Sequence, residues 1–302
     1  MKRFALPLAL ALSSLLAAPA LLADFLQDMA QADLLHKHDA HEEARTFLEA
    51  ALSRAASGQE KAEIYWRLSR AWLNLGDQAE DRGTKGDALL AYFAKGEELA
   101  QQGIDADPGN HLAYYWKSAT AGRWGQVKGI LNSLFKAKPM RDLLKKAVAI
   151  APEHADSYYV LGQLFEQVPG SPLSFGDKDW AVSLGRKAVD LRADQVKAGL
   201  EAELVYDYYT ELAKHLWERN WNAGKRDKGQ AGKSAQYAAK SDPMEKNCYY
   251  EGTLNLKNLS DREEAQELLA WTVGQLQALP RRTQGEEDDL QEALETQSDW
   301  KK

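Results

Sequence analysis

Residues 147–162 decide the fold of this 302-residue chain, and they read AVAIAPEHADSYYVLG. Small and branched apolar residues precede Pro152, and because proline cannot continue a helix, a first helix ends there. An aromatic residue, a Leu-Gly pair and a second aromatic residue then follow in steps of three, at Tyr158, Leu161, Gly162 and Phe165. The glycine lets a neighbouring helix approach closely, and the large residues fill the groove between the two helices. The stretch therefore predicts a helix, a turn and a second helix.

That order of residues is typical of the tetratricopeptide repeat, a helix–turn–helix unit of about 34 residues. Pro108 and Pro152, which close two successive units, lie further apart than this period, and the surplus falls in an insertion at 123–139. We therefore predict an all-α fold of irregular tetratricopeptide-like helical-hairpin repeats, which form a curved solenoid over residues 21–285. The alternative is a generic helical bundle in which repeat-like motifs occur by chance.

The composition agrees with a helical fold and argues against several classes of partner. Good helix formers are abundant, whereas the alternation and β-branched enrichment of strands are missing. Lys and Arg number 38 against 45 Asp and Glu, which gives a formal net charge of −7. An acidic protein is disfavoured as a partner of nucleic-acid phosphate or of an anionic membrane. The single cysteine, Cys248, cannot form an internal disulfide and has no recognisable catalytic context.

The first twenty residues predict export. A short positive start, a short apolar run and the small residues of Ala18-Pro19-Ala20 are the three parts of a secretory signal peptide, assigned here to residues 1–20. A membrane anchor is the alternative, but the apolar run is shorter than the roughly 20 residues that a span requires. No cysteine lies near the cleavage point, so we do not expect a lipoprotein. At the other end, residues 286–302 are acidic and weakly apolar, and they predict a frayed helix or a disordered tail.

The sequence carries none of the common motifs for catalysis. The chain has no Gly-x-Ser-x-Gly elbow, phosphate-binding glycine loop, His-Glu-x-x-His motif or cysteine pair. We therefore expect no enzyme activity, no cofactor and no metal. His36, His38 and His41 form the one histidine cluster, and three such ligands could hold zinc. A solvated polar helix start is the favoured interpretation, because helical spacing brings only some of these side chains together.

Partner binding is the more promising role, because the first helix of each hairpin in such a stack lines a concave groove. Counting from the aromatic positions, we predict that a partner is bound by Trp116, Arg123, Trp124, Tyr159 and Gln163. Aromatic and arginine side chains are well suited to anchor a protein partner. The alternative is that the aromatic residues pack between irregular helices. The loop at 168–177, which contains two prolines and two glycines, is a second candidate for binding or a rigid connector.

Several motifs in the first two thirds of the chain occur in a characteristic order. They are Trp66-Arg67-Leu68-Ser69-Arg70-Ala71, Tyr114-Tyr115-Trp116, Gly122-Arg123-Trp124, Val160-Leu161-Gly162 and Pro169-Gly170-Ser171-Pro172-Leu173-Ser174-Phe175-Gly176-Asp177. The chain resembles, over roughly residues 62–191, the bacterial tetratricopeptide proteins associated with tripartite ATP-independent periplasmic transporters. More distantly, it is similar to the regulator-of-microtubule-dynamics proteins, which share the Trp-Arg-Leu-x-Arg-Ala helix.

The resemblance implies a periplasmic protein that binds the solute-binding protein of a tripartite transporter, with an oligomer around a hydrophobic channel as a further option. The chain departs from the family because it lacks a lipidation cysteine, and its C-terminal third, after Asn222, carries little of the family's sequence pattern. We therefore predict a non-catalytic periplasmic adaptor that binds a protein partner through a helical groove. The alternative function is a binder or conduit for a small apolar ligand in a cavity or an oligomeric channel.

Overall fold

A computed structural model describes residues 13–252 and 258–301, with side chains from residue 23 onward. These residues form thirteen helices and no strand, so the predicted all-α fold of irregular helical hairpins is confirmed. The helices are α1 Ser13–Lys37, α2 His41–Leu52, α3 Gly58–Asp81, α4 Gly86–Ala106, α5 His111–Lys128, α6 Ile130–Ile150, α7 Ala155–Gln167, α8 Lys178–Lys197, α9 Tyr206–Arg219, α10 Ala223–Ala239, α11 Pro243–Asn247, α12 Asp261–Ala278 and α13 Gln284–Asp299. The predicted signal peptide, residues 1–20, lies outside the described side chains.

The chain divides into two compact units, Met1–Ser133 and Leu134–Lys302. The repeat domain that we predicted over 21–285 crosses this division. The acidic segment 286–302, expected to be a tail, lies mostly within α13, which packs against α9 and α12. None of the described helices has the length and apolar character needed to cross a membrane.

Consecutive helices pack as hairpins in the first unit. One core cluster joins α1, α2, α3 and α4 through residues such as Leu48, Ile64 and Leu68, each at most 1% exposed. Burying one such side chain contributes about 1.5–3 kcal/mol. Close helix contact depends on small residues: a Cβ added at Gly76 would lie 2.7 Å from the Phe93 ring. The fold of this unit therefore follows directly from the apolar spacing along each helix.

The second unit is built around the repeat motif at 158–165. Tyr158, Leu161 and Phe165 are almost wholly buried, as the tetratricopeptide pattern requires. A Cβ on Gly162 would lie 2.9 Å from Nε2 of His215 and 3.3 Å from the carbonyl oxygen of Ala181. Helices α7, α8 and α9 therefore meet at this glycine, and its missing side chain sets how closely they approach.

The insertion predicted at 123–139 is not a separate element. Helix α5 continues to Lys128, Gly129 adopts a positive φ of 103°, and α6 runs on through Pro139 to Ile150. Pro139 lies inside α6 and removes one backbone hydrogen bond there, while the turns that follow it are held by the burial of Met140 and Leu144. The surplus length therefore extends two helices of the repeat.

Candidate partner-binding sites

The face of α7 that we predicted to line a groove meets the neighbouring helix α9. The amide of Gln163 donates to a carboxylate oxygen of Glu211 at 3.2 Å and to the hydroxyl of Tyr159 at 2.9 Å. The Tyr159 hydroxyl in turn donates to Asp207, and its ring stacks on Tyr208 with centroids 4.7 Å apart. Similar contacts continue at both ends of the same face, between Asp156 and Tyr208 and between Glu166 and His215. We call the four hydrogen-bonded pairs between the two helices the α7–α9 ladder: Asp156–Tyr208, Tyr159–Asp207, Gln163–Glu211 and Glu166–His215.

The ladder has an unusual electrostatic environment. Burial, together with the nearby carboxylates of Glu211, Asp289 and Glu292, raises the pKa of Asp207 to about 7. The pKa of Asp289 is raised to about 6, again first by burial and then by neighbouring acids. Burial and the charge of Asp207 also raise the pKa of the Tyr159 phenol, so this hydroxyl stays protonated and acts as a donor. Tyr159 and Gln163 are thus held in place by α9 and do not project freely.

The three predicted site residues of the first unit lie on α5, beside α3. The side chains of Trp116 and Trp124 are half-buried and pack against a core cluster that includes Leu73 and Phe93. Arg123 reaches across to α3, where its guanidinium donates to Asp77 at 2.8 Å and to Glu80 at 2.6 Å. The same guanidinium lies over the Phe93 ring, 5.3 Å from its centroid. An arginine with two carboxylates therefore rests on an aromatic floor, and 30% of its side chain is exposed.

The predicted residues thus form two groups, because Trp116, Arg123 and Trp124 belong to the first unit whereas Tyr159 and Gln163 belong to the second. Each group contacts the adjacent helix within its own unit. Part of each of these five side chains therefore packs against a neighbouring helix, as the alternative interpretation stated. The exposed remainder of each side chain is the surface that is accessible to a partner.

The Trp-Arg-Leu-x-Arg-Ala motif has a clear structural role. Arg67 forms two hydrogen bonds with Asp33 of α1, at 3.0 and 2.9 Å, and Arg70 adds a third at 2.6 Å. Both guanidinium groups also lie near the ring of Trp66, at 4.1 and 5.0 Å from its centroid. The two arginines lower the pKa of Asp33 against the opposing effect of burial. The motif therefore joins α3 to α1.

A buried ion network in the second unit has no counterpart in the sequence predictions. Arg186 of α8 donates twice to Glu264 of α12, both at 2.6 Å, with side chains 5% and 0% exposed. Arg219 of α9 pairs in the same two-pronged way with Asp261, at 2.8 and 2.7 Å. Arg226 of α10 contacts both acids. No local motif reveals these pairs, because Arg186 and Glu264 are 78 positions apart, Arg219 and Asp261 are 42 apart, and Arg226 and Glu264 are 38 apart.

The histidine cluster does not gather as a set of metal ligands. The rings of His36 and His41 lie 5.2 Å apart, and Nδ1 of His36 is 3.2 Å from the Asn74 amide. Burial, with the positive charge of Arg70, lowers the pKa of His36 to about 3. The described residues contain no group of three side chains placed to hold a metal ion.

The loop at 168–177 connects α7 to α8 in a compact form. The backbone N–H of Gly176 donates to the carbonyl of Pro169 at 3.0 Å, and a Cβ at Gly176 would lie only 1.9 Å from the carbonyl oxygen of Val168. Asp177 then caps α8 by accepting from the N–H groups of Asp179 and Trp180. The loop therefore connects the two helices of one pair through backbone hydrogen bonds of its own.

A pocket of about 320 Å³ lies elsewhere in the second unit. Its lining is rich in charge and also contains two aromatic rings: Arg141, Asp142, Lys145, Trp180, Lys240, Met244, Glu245 and Tyr249. The cations are already paired with acids, since Lys145 lies 3.0 Å from Glu245 and Arg141 lies 2.7 Å from Asp142. Such a lining does not suit an apolar ligand.

Comparisons with known proteins point to one family. The sequence model of the family "Regulator of microtubule dynamics protein 1-3" matches residues 28–168. Regulator of microtubule dynamics protein 3 of Mus musculus is 24% identical over 204 residues, which are 63% of this chain and 42% of the mouse protein. The Bos taurus protein of the same name is 23% identical over 66% of this chain and 43% of its own length. The chain thus spans less than half the length of these curated relatives.

One solved structure is also similar, titled "MamA RS-1 ArsTM double mutant". It is 19% identical, and the alignment covers 65% of this chain and 84% of that chain with a TM-score of 0.39. The fold assignment rests on the helices themselves, since a likeness of this size is too weak to carry it.

These findings confirm one prediction and overturn another. The distant likeness to regulators of microtubule dynamics, inferred from the Trp66–Ala71 motif, is confirmed over residues 28–168. The predicted periplasmic location is wrong, because the curated relatives come from animals and are named for microtubules, which do not occur in a periplasm. The helical-repeat architecture and these relatives fit a role in protein binding.

Proposed function

We propose that the chain is a non-catalytic scaffold that binds a protein partner through the α3–α5 face of its first unit. The observation that carries this proposal is the arrangement around Arg123: a partly exposed guanidinium over the buried Phe93 ring, two carboxylates of α3, and two half-buried tryptophans of α5 packed against the same cluster. Arginine and aromatic residues are enriched among the side chains that dominate protein interfaces. A partner carboxylate could compete for Arg123 while an apolar side chain packs against Trp116 or Trp124.

The names of the relatives supply the first partner to test, which is the microtubule. Transporter solute-binding proteins, which the bacterial resemblance implied, are periplasmic, so that partner is not retained. A catalytic role gains no support from the side chains that could act as nucleophile or base. Burial raises the pKa of the Cys248 thiol, and His215 is buried against Glu166. The conduit alternative is not favoured either, given the charged lining of the pocket at Lys145.

Co-sedimentation with stabilised microtubules tests the proposal. We expect the wild-type chain to pellet with the polymer, and Arg123→Ala to weaken binding by about tenfold or more, as for a central interface arginine worth about 2 kcal/mol. Arg82→Ala is the matched control, because Arg82 is an exposed arginine of the same unit, just after α3. A wild-type chain that stays in the supernatant, or equal pelleting of wild type and Arg123→Ala, would reject the proposed site.

A further inference from the structure

The first two turns of α6 carry large apolar side chains that face solvent. Four residues of this segment are between 37% and 88% exposed: Ile130, Leu131, Leu134 and Phe135. We call them the α6 apolar patch. Single exposed apolar side chains, such as that of Leu200, are common on soluble proteins, whereas a contiguous apolar patch marks an interaction surface.

The backbone of α6 holds the patch together on one face of the helix. Residues 130 and 134, and residues 131 and 135, are four positions apart, so their side chains lie one above the other. Another face of the same turns packs against α5, where a Cβ added at Gly125 would lie 3.1 Å from Cα of Ser133. Ala137 and Met140 are buried in the turns that follow. The start of α6 therefore rests on the protein and presents the patch outward.

The sequence around the patch is basic, although the chain as a whole is acidic. Residues 108–141 contain no Asp or Glu, whereas the chain has 45 of them. The same stretch carries six cations: Lys117, Arg123, Lys128, Lys136, Lys138 and Arg141. Lys138 lies one turn beyond Leu134 on the same face of α6, since the two residues are four positions apart. On the other side of the patch, Lys128 lies 3.6 Å from the exposed Asp87.

The size of the patch favours a lipid surface over a second protein. A stable protein interface takes about 20–30 residues from each partner, and the patch offers four apolar side chains on two turns. A helix that lies in a membrane interface instead combines a short apolar face with flanking lysines. The net charge of −7 opposes an anionic membrane at long range. Salt screens charges separated by more than about 8–10 Å, so the nearby lysines dominate at contact.

We propose that the start of α6 docks the chain on an anionic membrane surface. The side chains of Ile130, Leu131 and Phe135 enter the boundary between headgroups and acyl chains, while Lys138 contacts the anionic headgroups. The helix lies in the plane of the membrane and does not cross it. This membrane contact goes beyond the scaffold role and is independent of the α3–α5 face.

Co-sedimentation of the full chain with lipid vesicles tests the proposal. Vesicles of phosphatidylcholine with about 30% phosphatidylserine provide an anionic surface, and pure phosphatidylcholine provides a neutral one. We expect the wild type to bind the anionic vesicles, and to bind them less at high salt. Absence of binding, or equal binding to both kinds of vesicle, would overturn the proposal.

Two sets of variants locate the contact. Leu131→Ser with Phe135→Ser should weaken binding by about tenfold or more, because the two largest exposed side chains no longer leave water; Leu200→Ser is the control for loss of one exposed apolar residue. Lys138→Glu should weaken binding by about tenfold. Lys146→Glu, the same change at an exposed lysine further along α6, should matter much less. Equal binding by the wild type and the double variant would assign the contact to another segment, such as the apolar run within residues 1–20, and overturn the proposal.

Hydrogen exchange in the wild-type chain gives an outcome that does not depend on how the variants fold. Anionic vesicles should slow the exchange of amides 130–136 and leave those of α3 unchanged; unchanged exchange at 130–136 would contradict docking through α6. If the patch instead pairs two copies of the chain, sedimentation would show a dimer that the double variant loses, without vesicle binding. Arg123→Ala, which tests the microtubule proposal, should leave vesicle binding unchanged, so the two proposals can fail separately.

Discussion

The two units of the chain hold neighbouring helices together with charges, but in different surroundings. In the first unit, Asp33, Asp77 and Glu80 pair with arginines across helices while 38–45% of each acidic side chain stays exposed. In the second unit, Glu264 and Asp261 pair with arginines while wholly excluded from solvent. The first set can exchange its partners for water or for another protein, whereas the second set cannot.

The comparison teaches where sequence changes should be tolerated. An exposed ion pair contributes about 0–1 kcal/mol, because water replaces a lost partner. Breaking a buried pair leaves a charge that water cannot reach, and costs about 3–5 kcal/mol. Charged residues of the first unit are therefore available for recognition, while those buried in the second unit are structural.

Glu264→Gln should have the largest effect among the changes that test this contrast. The substitution leaves Arg186 buried without its charged partner and weakens the contact to Arg226, so we expect the free energy of unfolding of the second unit to fall by about 3–5 kcal/mol. Glu80→Gln in the first unit is the comparison, because Glu80 and its partner Arg123 are 45% and 30% exposed, and it should cost about 1 kcal/mol or less. Chemical denaturation monitored by hydrogen exchange measures the loss of unfolding free energy in each unit. Equal losses would remove the distinction between the units.

Gly162→Ala should have the next largest effect, and it tests the helix junction of the second unit. The added methyl group would collide with His215 and crowd the backbone of α8, so we expect a loss of about 1–3 kcal/mol in thermal or chemical unfolding. Gly274→Ala is the matched control, since Gly274 is also helical but an added Cβ there would have nothing within 4 Å. It should stabilise the chain by about 0.5–1 kcal/mol. A destabilising Gly274→Ala would show that helix propensity does not explain the difference.

The pH dependence should be the smallest effect, and it has opposite signs in the two units. Folding raises the pKa of Asp207 and Asp289 above the ordinary 3.8, so their contribution favours folding at low pH and is lost as pH rises through about 6 to 7. The groups that act on Asp207 are Tyr159, Glu211, Asp289 and Glu292. In the first unit the pKa of Asp33 is lowered, so its contribution is present above 3.8 and is lost only in acid.

Exchange protection factors of α13 measured at pH 5 and pH 8 check this prediction. We expect lower protection of α13 at pH 8, and little change in α1 and α3, where Asp33 is ionised at both values. Asp207→Asn should remove much of the difference in α13. Protection of α13 that rises with pH would contradict the raised pKa of Asp207.

Several features were open to prediction from the sequence. The spacing around Tyr158 and Leu161 predicted the hairpin of α7 and α8. Counting along α7 placed Tyr159 and Gln163 on one face, which we expected to line a groove and which contacts α9 in the structure. The Trp66–Ala71 motif also led to the likeness with regulators of microtubule dynamics. Such features are visible because apolar periodicity and capping act between residues a few positions apart.

Other features required the tertiary structure. No local sequence pattern predicts that Arg186 pairs with Glu264, which is 78 positions away. The same holds for the packing of α13 near Asp207, because the sequence of α13 resembles that of any exposed charged helix. The extra residues at 123–139 were likewise predicted to be an insertion, whereas in the structure α5 and α6 extend through them. The sequence by itself determined which segments are helical and which of their faces are apolar. Only the tertiary structure decided which charges are buried together, because that depends on the approach of segments far apart in the chain.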